Sequence, residues 1–406
     1  MKRRAIVFFG VTAAAILAAA LLFHPREGGA DEPFVPKSDG EVLERLATGA
    51  SDPRARELAA LRRAAAADPR NLENAVALAR KDIEESRARS DPRYLGYAQA
   101  ALAPWWQEPS PPPAVLVLRA TIRQSLHDFD AALSDLDKVT ASTPNDPQAW
   151  ITRSVVLTVL GRYEEARRSC APLPRLTSDL VAAVCVASID AVTGAAQAGY
   201  SRLEAALAAA PGASPPERAW GVSTLGEIAL RLGRDADAER HFAEALALDP
   251  NDGYVLGAYA DLLLDLGRAS DAARLVASRT ENDGLLLRLA MAETMTHARD
   301  AAMHVELLRA RFEASHLRGD TVHRREEARF ELTLRKDAQA ALALASANWN
   351  VQREPWDVRI LLESALAAHD PGAAAPALAF LDQHHLEDPR IAAAAAALRS
   401  KATPKP

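Results

Sequence analysis

The sequence is poor in aromatic residues and contains only two cysteines. Phe, Trp and Tyr make up 5% of the 406 residues, although 49% of the residues are hydrophobic. This composition favours closely packed helices, because Ala has the highest helix propensity and leaves room for a neighbouring backbone. Two cysteines also exclude a cysteine-rich zinc site and a dense disulfide framework.

The two cysteines, Cys170 and Cys185, lie in segments with a helical pattern. The simpler interpretation is that both are small buried hydrophobic residues. A disulfide between them is chemically permitted if this part of the chain lies outside the cytoplasm. The sequence leaves the choice open, because it does not give the geometry that a disulfide requires.

The chain lacks the common signatures of catalysis and nucleotide binding. It has no Walker A loop, no dinucleotide-binding glycine pattern, no H-E-x-x-H zinc motif and no G-x-S-x-G nucleophile motif. The net charge of −6 argues against a surface for nucleic acid. We therefore expect a chain without enzymatic activity, cofactor, metal or small-molecule substrate.

One group of histidines and glutamates offers an alternative to that expectation. Its members are His297, His304, His316, His323, Glu306, Glu326 and Glu327. The histidines form two pairs spaced seven residues apart, so each pair could share a helix face. Zinc needs three or four converging ligands, and solvated surface histidines explain the same residues. An accessory domain of a metal-handling or hydrolytic protein is therefore kept as an alternative function.

The longest uncharged run lies at the amino terminus, from Ala5 to Phe23, after the basic residues Lys2–Arg4. As a helix with a rise of 1.5 Å per residue it would span about 28 Å, which is close to the hydrocarbon thickness of a bilayer. Basic residues tend to stay in the cytoplasm. We therefore expect residues 1–23 to be an uncleaved anchor in the inner membrane, with the rest of the chain in the periplasm. The alternative is a signal peptide cleaved near Gly28–Ala30, which would secrete the chain to the periplasm.

A pattern of small and aromatic residues recurs along the chain at a constant spacing. Gly233 and Ala238 are followed at this spacing by Gly267 and Ala272, and His127, Phe129 and Ala132 by Gly161, Tyr163 and Ala166. The period is 34, which is typical of a helix-turn-helix repeat. The small residues would let the two helices of a pair approach each other, and the rings would fill the space between pairs. One pair cannot bury its apolar face alone, so stability would come from stacking neighbours.

This pattern resembles the tetratricopeptide repeat family. The most regular unit contains Leu225, Gly226, Phe242, Ala245 and Pro250. The resemblance implies an all-α solenoid of stacked antiparallel helix pairs, about eight of them between residues 113 and 390. It also implies that the partner is a protein or an extended peptide segment, which such repeats usually bind in a concave groove lined by the first helix of each pair.

The repeat spacing and the turn residues divide the chain into six segments. We predict the anchor at 1–23, a linker at 24–51, irregular helical repeats at 52–112, the regular array at 113–280, degenerate repeats at 281–400 and a disordered tail at 401–406. Asp-Pro pairs predict boundaries between helices, because Asp caps a helix start and Pro suits the first helical position. Asp146-Pro147, Asp249-Pro250 and Asp388-Pro389 are examples.

The resemblance places candidate partner-binding residues on the concave face. They are Gln148, Ile151, Val155 and Thr158, then Trp220, Ser223, Glu227 and Arg231, then Tyr254, Gly257, Asp261 and Asp265. Packing within the array explains Trp220 and Tyr254 equally well. The function expected from these features is a scaffold or adaptor that binds a partner protein in the cell envelope, during assembly or export of an envelope complex. The second alternative is a structural spacer that assembles with itself.

Overall fold

The computed structural model describes residues 53–89 and 91–402, and all the regular structure in these residues is helical. From Glu57 onward the described residues form one compact unit. The predicted anchor and linker lie outside the described residues. Within the described ranges, no helix is long and apolar enough to cross a membrane.

Four helices precede the regular array: α1 (Pro53–Ala67), α2 (Leu72–Arg89), α3 (Arg93–Ala101) and α4 (Ala103–Trp106). Eight helix pairs then follow in the part of the chain that the structure describes. The first four are α5/α6 (Pro113–Ser125, Phe129–Ser142), α7/α8 (Pro147–Val159, Tyr163–Cys170), α9/α10 (Asp179–Asp190, Ala196–Ala209) and α11/α12 (Pro215–Arg231, Asp235–Leu248). The next four are α13/α14 (Gly253–Asp265, Ala269–Val276), α15/α16 (Asp283–Thr296, Ala301–Leu317), α17/α18 (Arg324–Phe330, Ala338–Trp349) and α19/α20 (Pro355–Ala367, Ala375–His384). A last helix, α21 (Pro389–Ala402), extends two residues into the segment predicted to be a disordered tail.

The helices stack in chain order, and each packs mainly against its sequence neighbours. The small residues at the repeated position, which include Ala132, Ala166, Ala238 and Ala272, are fully buried. Phe242 is also fully buried, and its ring touches the backbone of Gly226 so closely that a side chain there would collide with it. The all-α stacked solenoid implied by the 34-residue pattern is therefore confirmed.

Cys170 and Cys185 form a disulfide, with sulfur atoms 2.00 Å apart. Cys170 ends α8 and Cys185 lies in the middle of α9, so the bond joins one helix pair to the next. Both cysteines are buried. The simpler interpretation, two unpaired hydrophobic residues, is wrong, because the stacking of the two pairs brings the sulfur atoms together.

The last helices pack on the turns of earlier pairs. The amide of Arg353 donates to the carbonyl oxygen of Val159 at 2.8 Å, where α7 ends. The ring of Phe380 lies against Gly161 in the following turn and 6.0 Å from the ring of Tyr163. Gly194 approaches His385 in the same way one pair later. The end of the array therefore returns to its earlier pairs and closes the solenoid.

Ion pairs extend the same contact. The Arg390 guanidinium lies 2.7 Å from Asp235 and 2.8 Å from Asp265, and the Arg359 guanidinium lies 2.7 Å from Asp265. Helices α19 and α21 are thus joined to α12 and α13, which precede them by several pairs in the chain. Apolar residues of both regions belong to one continuous hydrophobic core.

Candidate binding cavity

The inner side of the closed solenoid carries a partly open cavity of about 1070 Å³. The first helices of successive pairs form most of its wall, from α7 through α19, and α2 and α21 complete it. Part of the concave surface that the repeat register predicts therefore lies on the wall of this cavity. The wall is rich in charged side chains of both signs, most of which come from the arginines and carboxylates described below.

Asp261 of α13 is held by two arginines from later helices. Its carboxylate is 2.6 Å from Arg288 and 2.8 Å from Arg329, and the residue is only 4% exposed. Burial opposes ionisation of Asp261, but the two guanidinium groups outweigh it and lower the pKa of the carboxyl group. Asp261 therefore acts within the chain as the anchor for two buried cations.

Trp356 lies between two arginines on the wall of the cavity. The guanidinium carbons of Arg329 and Arg359 lie 4.0 Å and 4.4 Å from the centre of its indole ring. Arg359 also donates to both carboxylate oxygens of Asp265 at 2.7 Å. Planar guanidinium groups stack well on aromatic rings and pair well with carboxylates, so this part of the wall already combines the two modes of recognition.

Arg231 of α11 is less completely paired. One terminal nitrogen donates to Asp388 at 3.3 Å, and the Nε atom is buried without a hydrogen-bond partner among the described residues. Desolvation of an unmatched donor is unfavourable. The Arg231–Asp388 contact therefore leaves some hydrogen-bonding capacity at the wall unused.

Glu227 and Tyr254 form a pair of another kind. The Tyr254 hydroxyl donates to Glu227, which makes no salt bridge with any residue that the structure describes. Desolvation in the closed interior raises the pKa of the Glu227 carboxyl group, and the nearby carboxylates of Glu354 and Asp252 raise it further, against the effect of Arg231. Tyr254 is 65% exposed, although it lies inside the cavity, because its ring faces the open interior.

Seven of the twelve predicted partner-binding residues line the cavity. They are Thr158, Glu227, Arg231, Tyr254, Gly257, Asp261 and Asp265. Ile151 and Trp220 instead pack against the main hydrophobic core, Gln148 hydrogen-bonds to Thr152, and the Ser223 hydroxyl donates to the carbonyl of Trp220. Val155 is exposed away from the cavity.

Sequence reasoning missed the basic side of the wall. Its residues are Arg288, Arg325, Arg329, Trp356, Arg359 and Arg390. They come from the segment whose repeats are degenerate, where the 34-residue register is too weak to assign a face. Pro355, which begins α19, was the one available signal, since it places Trp356 and Arg359 in the first two turns of a first helix.

The histidine group does not converge in the structure. His297 ends α15 in a left-handed conformation, whereas His304 lies in α16. The two histidines therefore do not share a helix face, although their spacing would allow it. His304 contacts Glu293 at 2.6 Å and His316 contacts Glu327 at 2.9 Å. Across the described ranges, no three His, Cys, Asp or Glu side chains are grouped so that they could hold a metal ion.

Family models match two segments of the chain, both as tetratricopeptide repeats. One match covers residues 117–173 and the other covers residues 220–252, which together are well under half of the chain. The first match contains α7 and α8, and the second contains the most regular unit. A comparison with curated proteins finds no match.

Similar solved structures include three repeat-containing or helical proteins. A thermophilic tetratricopeptide repeat protein from Thermus thermophilus is 22% identical over 47% of this chain and 98% of its own, with a TM-score of 0.38. Pseudomonas aeruginosa pilF is 19% identical over 59% of this chain and 91% of its own, with a TM-score of 0.31. Human IFIT1, solved as a dimer with PPP-AAAA, is 15% identical over 87% of this chain and 88% of its own, with a TM-score of 0.44.

Likenesses of this size say nothing about a shared partner. The two family-model matches, together with the buried small residues and the stacked pairs, carry the assignment. The regular array of this chain therefore contains two segments that match tetratricopeptide repeats, a repeat type that is typical of scaffolds for protein interactions.

Proposed function

We propose that the chain is a non-enzymatic scaffold that holds an extended segment of a partner protein in its central cavity. The observation that carries this proposal is the cavity itself, which has a volume of about 1070 Å³ and walls made by the first helices of the pairs. A volume of this size is at the upper end of the range for ligand pockets, ~300–1000 Å³. Most charges on the wall are already paired within the chain, so the site is largely formed before a partner arrives.

We further propose that the scaffold works in the cell envelope, in the periplasm, during assembly or export of an envelope complex. The Cys170–Cys185 disulfide supports this location, because such bonds persist in oxidising compartments. The uncharged run from Ala5 to Phe23 supports a membrane anchor that precedes the scaffold. Reporter fusions to the carboxyl end should be active in the periplasm, and activity in the cytoplasm would contradict the location.

Photo-crosslinking tests the scaffold proposal. A photoreactive amino acid at Thr158, which lines the cavity, should capture a distinct partner in intact cells. The same group at Leu317, which is 90% exposed and outside the cavity, is the control. A product that forms from Thr158 and not from Leu317 supports the proposal. Products that form only from Leu317, or from neither position, would contradict binding in the cavity.

One observation favours the structural spacer as a second candidate. Met303, Leu307 and Leu317 are exposed along one helix, α16, at 58%, 37% and 90%. An exposed apolar stripe of this kind can mediate association with another copy. Light scattering of the purified chain should give the mass of a monomer under the scaffold proposal, and a series of larger assemblies under the spacer alternative.

A further inference from the structure

Two carboxylates occupy the same place in successive repeats. Glu227 lies in α11, and Asp261 lies in α13, one full repeat later. Each carboxylate accepts a hydrogen bond from the residue 27 positions further along the chain, in the first helix of the next pair. That residue is Arg288 for Asp261 and Tyr254 for Glu227. The two positions are thus geometrically equivalent and differ in the charge of the partner.

The difference leaves Glu227 without a direct salt bridge among the residues that the structure describes. Asp261 faces two guanidinium groups, from Arg288 and Arg329, whereas Glu227 receives a neutral hydroxyl group. Arg231 lies near Glu227 and lowers its pKa, but the carboxylate that Arg231 contacts, at 3.3 Å, is that of Asp388. A partly desolvated carboxylate gains from a nearby cation, so a cation that enters the cavity would stabilise Glu227.

We propose that Glu227 and Tyr254 form a subsite for a basic side chain, Lys or Arg, of the segment held in the cavity. This inference rests on the proposed scaffold function and specifies the chemistry that the cavity recognises. Glu227 supplies the negative charge, and the exposed ring of Tyr254 supplies an aromatic face for the cation. The guest would occupy the role that Arg288 has beside Asp261.

Another part of the wall, which shares helix α13 with Tyr254, shows that this cavity accepts such an arrangement. There, Trp356 carries the guanidinium groups of Arg329 and Arg359 on its ring, while Asp261 and Asp265 neutralise them. An aromatic ring, a carboxylate and a cation are all present there. At Glu227 and Tyr254, no cation of the described residues stacks on the ring or forms a salt bridge with the carboxylate. Cation–π contacts contribute at exposed aromatic rings as well, and they become stronger where water is excluded.

A short peptide tests the inference on the full-length chain. The probe is a blocked pentapeptide, acetyl-Ala-Ala-Lys-Ala-Ala-amide. The control is the same peptide with an acetylated lysine side chain. We expect the lysine peptide to bind and to perturb the NMR signals of Tyr254, and the acetylated peptide to bind at least about tenfold more weakly, because it lacks the charge. Equal affinity for the two peptides, or no binding of the lysine peptide at millimolar concentration, would overturn the inference.

Two variants connect that binding to the subsite. Glu227→Gln keeps the acceptor for Tyr254 and removes the charge, so we expect about a tenfold loss in affinity for the lysine peptide. Tyr254→Arg would give Glu227 the cation that Asp261 receives from Arg288, so it should block the peptide and raise the melting temperature. The control is Glu239→Gln, because Glu239 also accepts from a tyrosine hydroxyl, that of Tyr259 at 2.8 Å, but lies outside the cavity.

Unchanged affinity for the lysine peptide in both Glu227→Gln and Tyr254→Arg would overturn the subsite. A loss of that affinity in Glu239→Gln as large as in Glu227→Gln would overturn it as well. That result leaves the scaffold proposal standing if photo-crosslinking from Thr158 still captures the partner. Absence of the crosslink from Thr158 in the chain with wild-type Glu227 and Tyr254 would instead contradict the scaffold proposal itself. The two experiments therefore separate the two claims.

Discussion

At the scale of single residues, the turn glycines show how closely the last helices approach the earlier pairs. Gly161 and Gly267 have nearly the same left-handed conformation, with φ of 72° and 71°. A Cβ atom at Gly161 would lie 2.7 Å from the ring of Phe380, whereas one at Gly267 would meet nothing within 4 Å. A side chain would therefore meet the same backbone strain at the two positions, and only the surroundings of the two glycines differ.

We expect Gly267→Ala to lower the free energy of unfolding by about 1 kcal/mol, the penalty for a side chain in this conformation. Gly161→Ala should lower it by a further ~1–3 kcal/mol, because the added methyl group collides with a buried ring. Urea unfolding of both variants measures the difference. Equal losses would show that Phe380 does not pack against this turn.

The raised pKa of the Glu227 carboxyl group predicts that the stability of the chain depends on pH. Its pKa in the folded chain lies above the unfolded value of about 4.3, so the folded state binds this proton more readily than the unfolded state does. The group therefore lowers stability above its folded pKa, and the penalty disappears as the pH falls towards the unfolded value. We expect Glu227→Gln to be more stable than the wild type near neutral pH.

The advantage of Glu227→Gln should shrink as the pH falls to about 4, where the wild-type carboxyl group is protonated in both states. Urea midpoints of the two proteins, measured across this range, give the difference. A constant difference at every pH, or an advantage that grows in acid, would show that the Glu227 carboxyl group is not raised in pKa.

At the scale of helices, the disulfide joins α8 to α9 and closes a short loop. The cysteines are 15 residues apart in the sequence, for which the loss of chain entropy in the unfolded state is worth about 3 kcal/mol. Replacing both cysteines by serine should lower the free energy of unfolding by ~2–4 kcal/mol. Denaturant unfolding checks this, and an unchanged midpoint would mean that the bond does not form in the native chain.

The helix boundaries show which signals in the sequence were sufficient. Asp146 and Asp388 cap α7 and α21 through backbone N–H groups, as their Asp-Pro pairs predict. Asp249 instead ends α12, and Asp252 caps α13 at Tyr254 and Val255. Both aspartates suit a cap, so the sequence marks the boundary there but not the first residue of the helix.

The register slips where the helix geometry changes. Residues Glu331–Arg335 form a π-helical turn, which adds backbone before the left-handed residue Lys336. His369 has the equivalent left-handed conformation one pair later. The repeat spacing in the sequence instead matches Lys336 to Asp370, so it is displaced by one position from the structure. A local change of helix type leaves no clear pattern in the sequence, and this explains why residues 281–400 looked degenerate.

At the scale of the whole molecule, stacking was predictable and closure was not. Stacking follows from the 34-residue period, because each pair buries its apolar face against the next. Closure depends on the small rotation from one pair to the next, added over all the pairs, and on contacts such as Arg359–Asp265, between residues 94 positions apart. Arg and Asp are common on solvated helix faces, so neither residue identifies its partner in the sequence.

The same limit explains which residues of the cavity wall the sequence could predict. The repeat register identified Glu227, Tyr254, Asp261 and Asp265, because they lie on the first helices of the most regular pairs. It did not identify Trp356, because closure alone brings that residue to the cavity. The sequence predicted wall residues from the regular pairs, and the residues that α15 to α21 contribute required the structure.

Disulfide trapping tests the closure most directly. A Cβ atom at Gly194 would lie 2.9 Å from the Cβ atom of His385, so a cysteine at each position could be joined after a small adjustment. The control pairs His385→Cys with Gly267→Cys, whose turn has nothing within 4 Å of a Cβ atom. After oxidation, peptide mapping should find a bond between positions 194 and 385 and none in the control. Free, readily alkylated thiols at both positions of the test pair would contradict a closed solenoid.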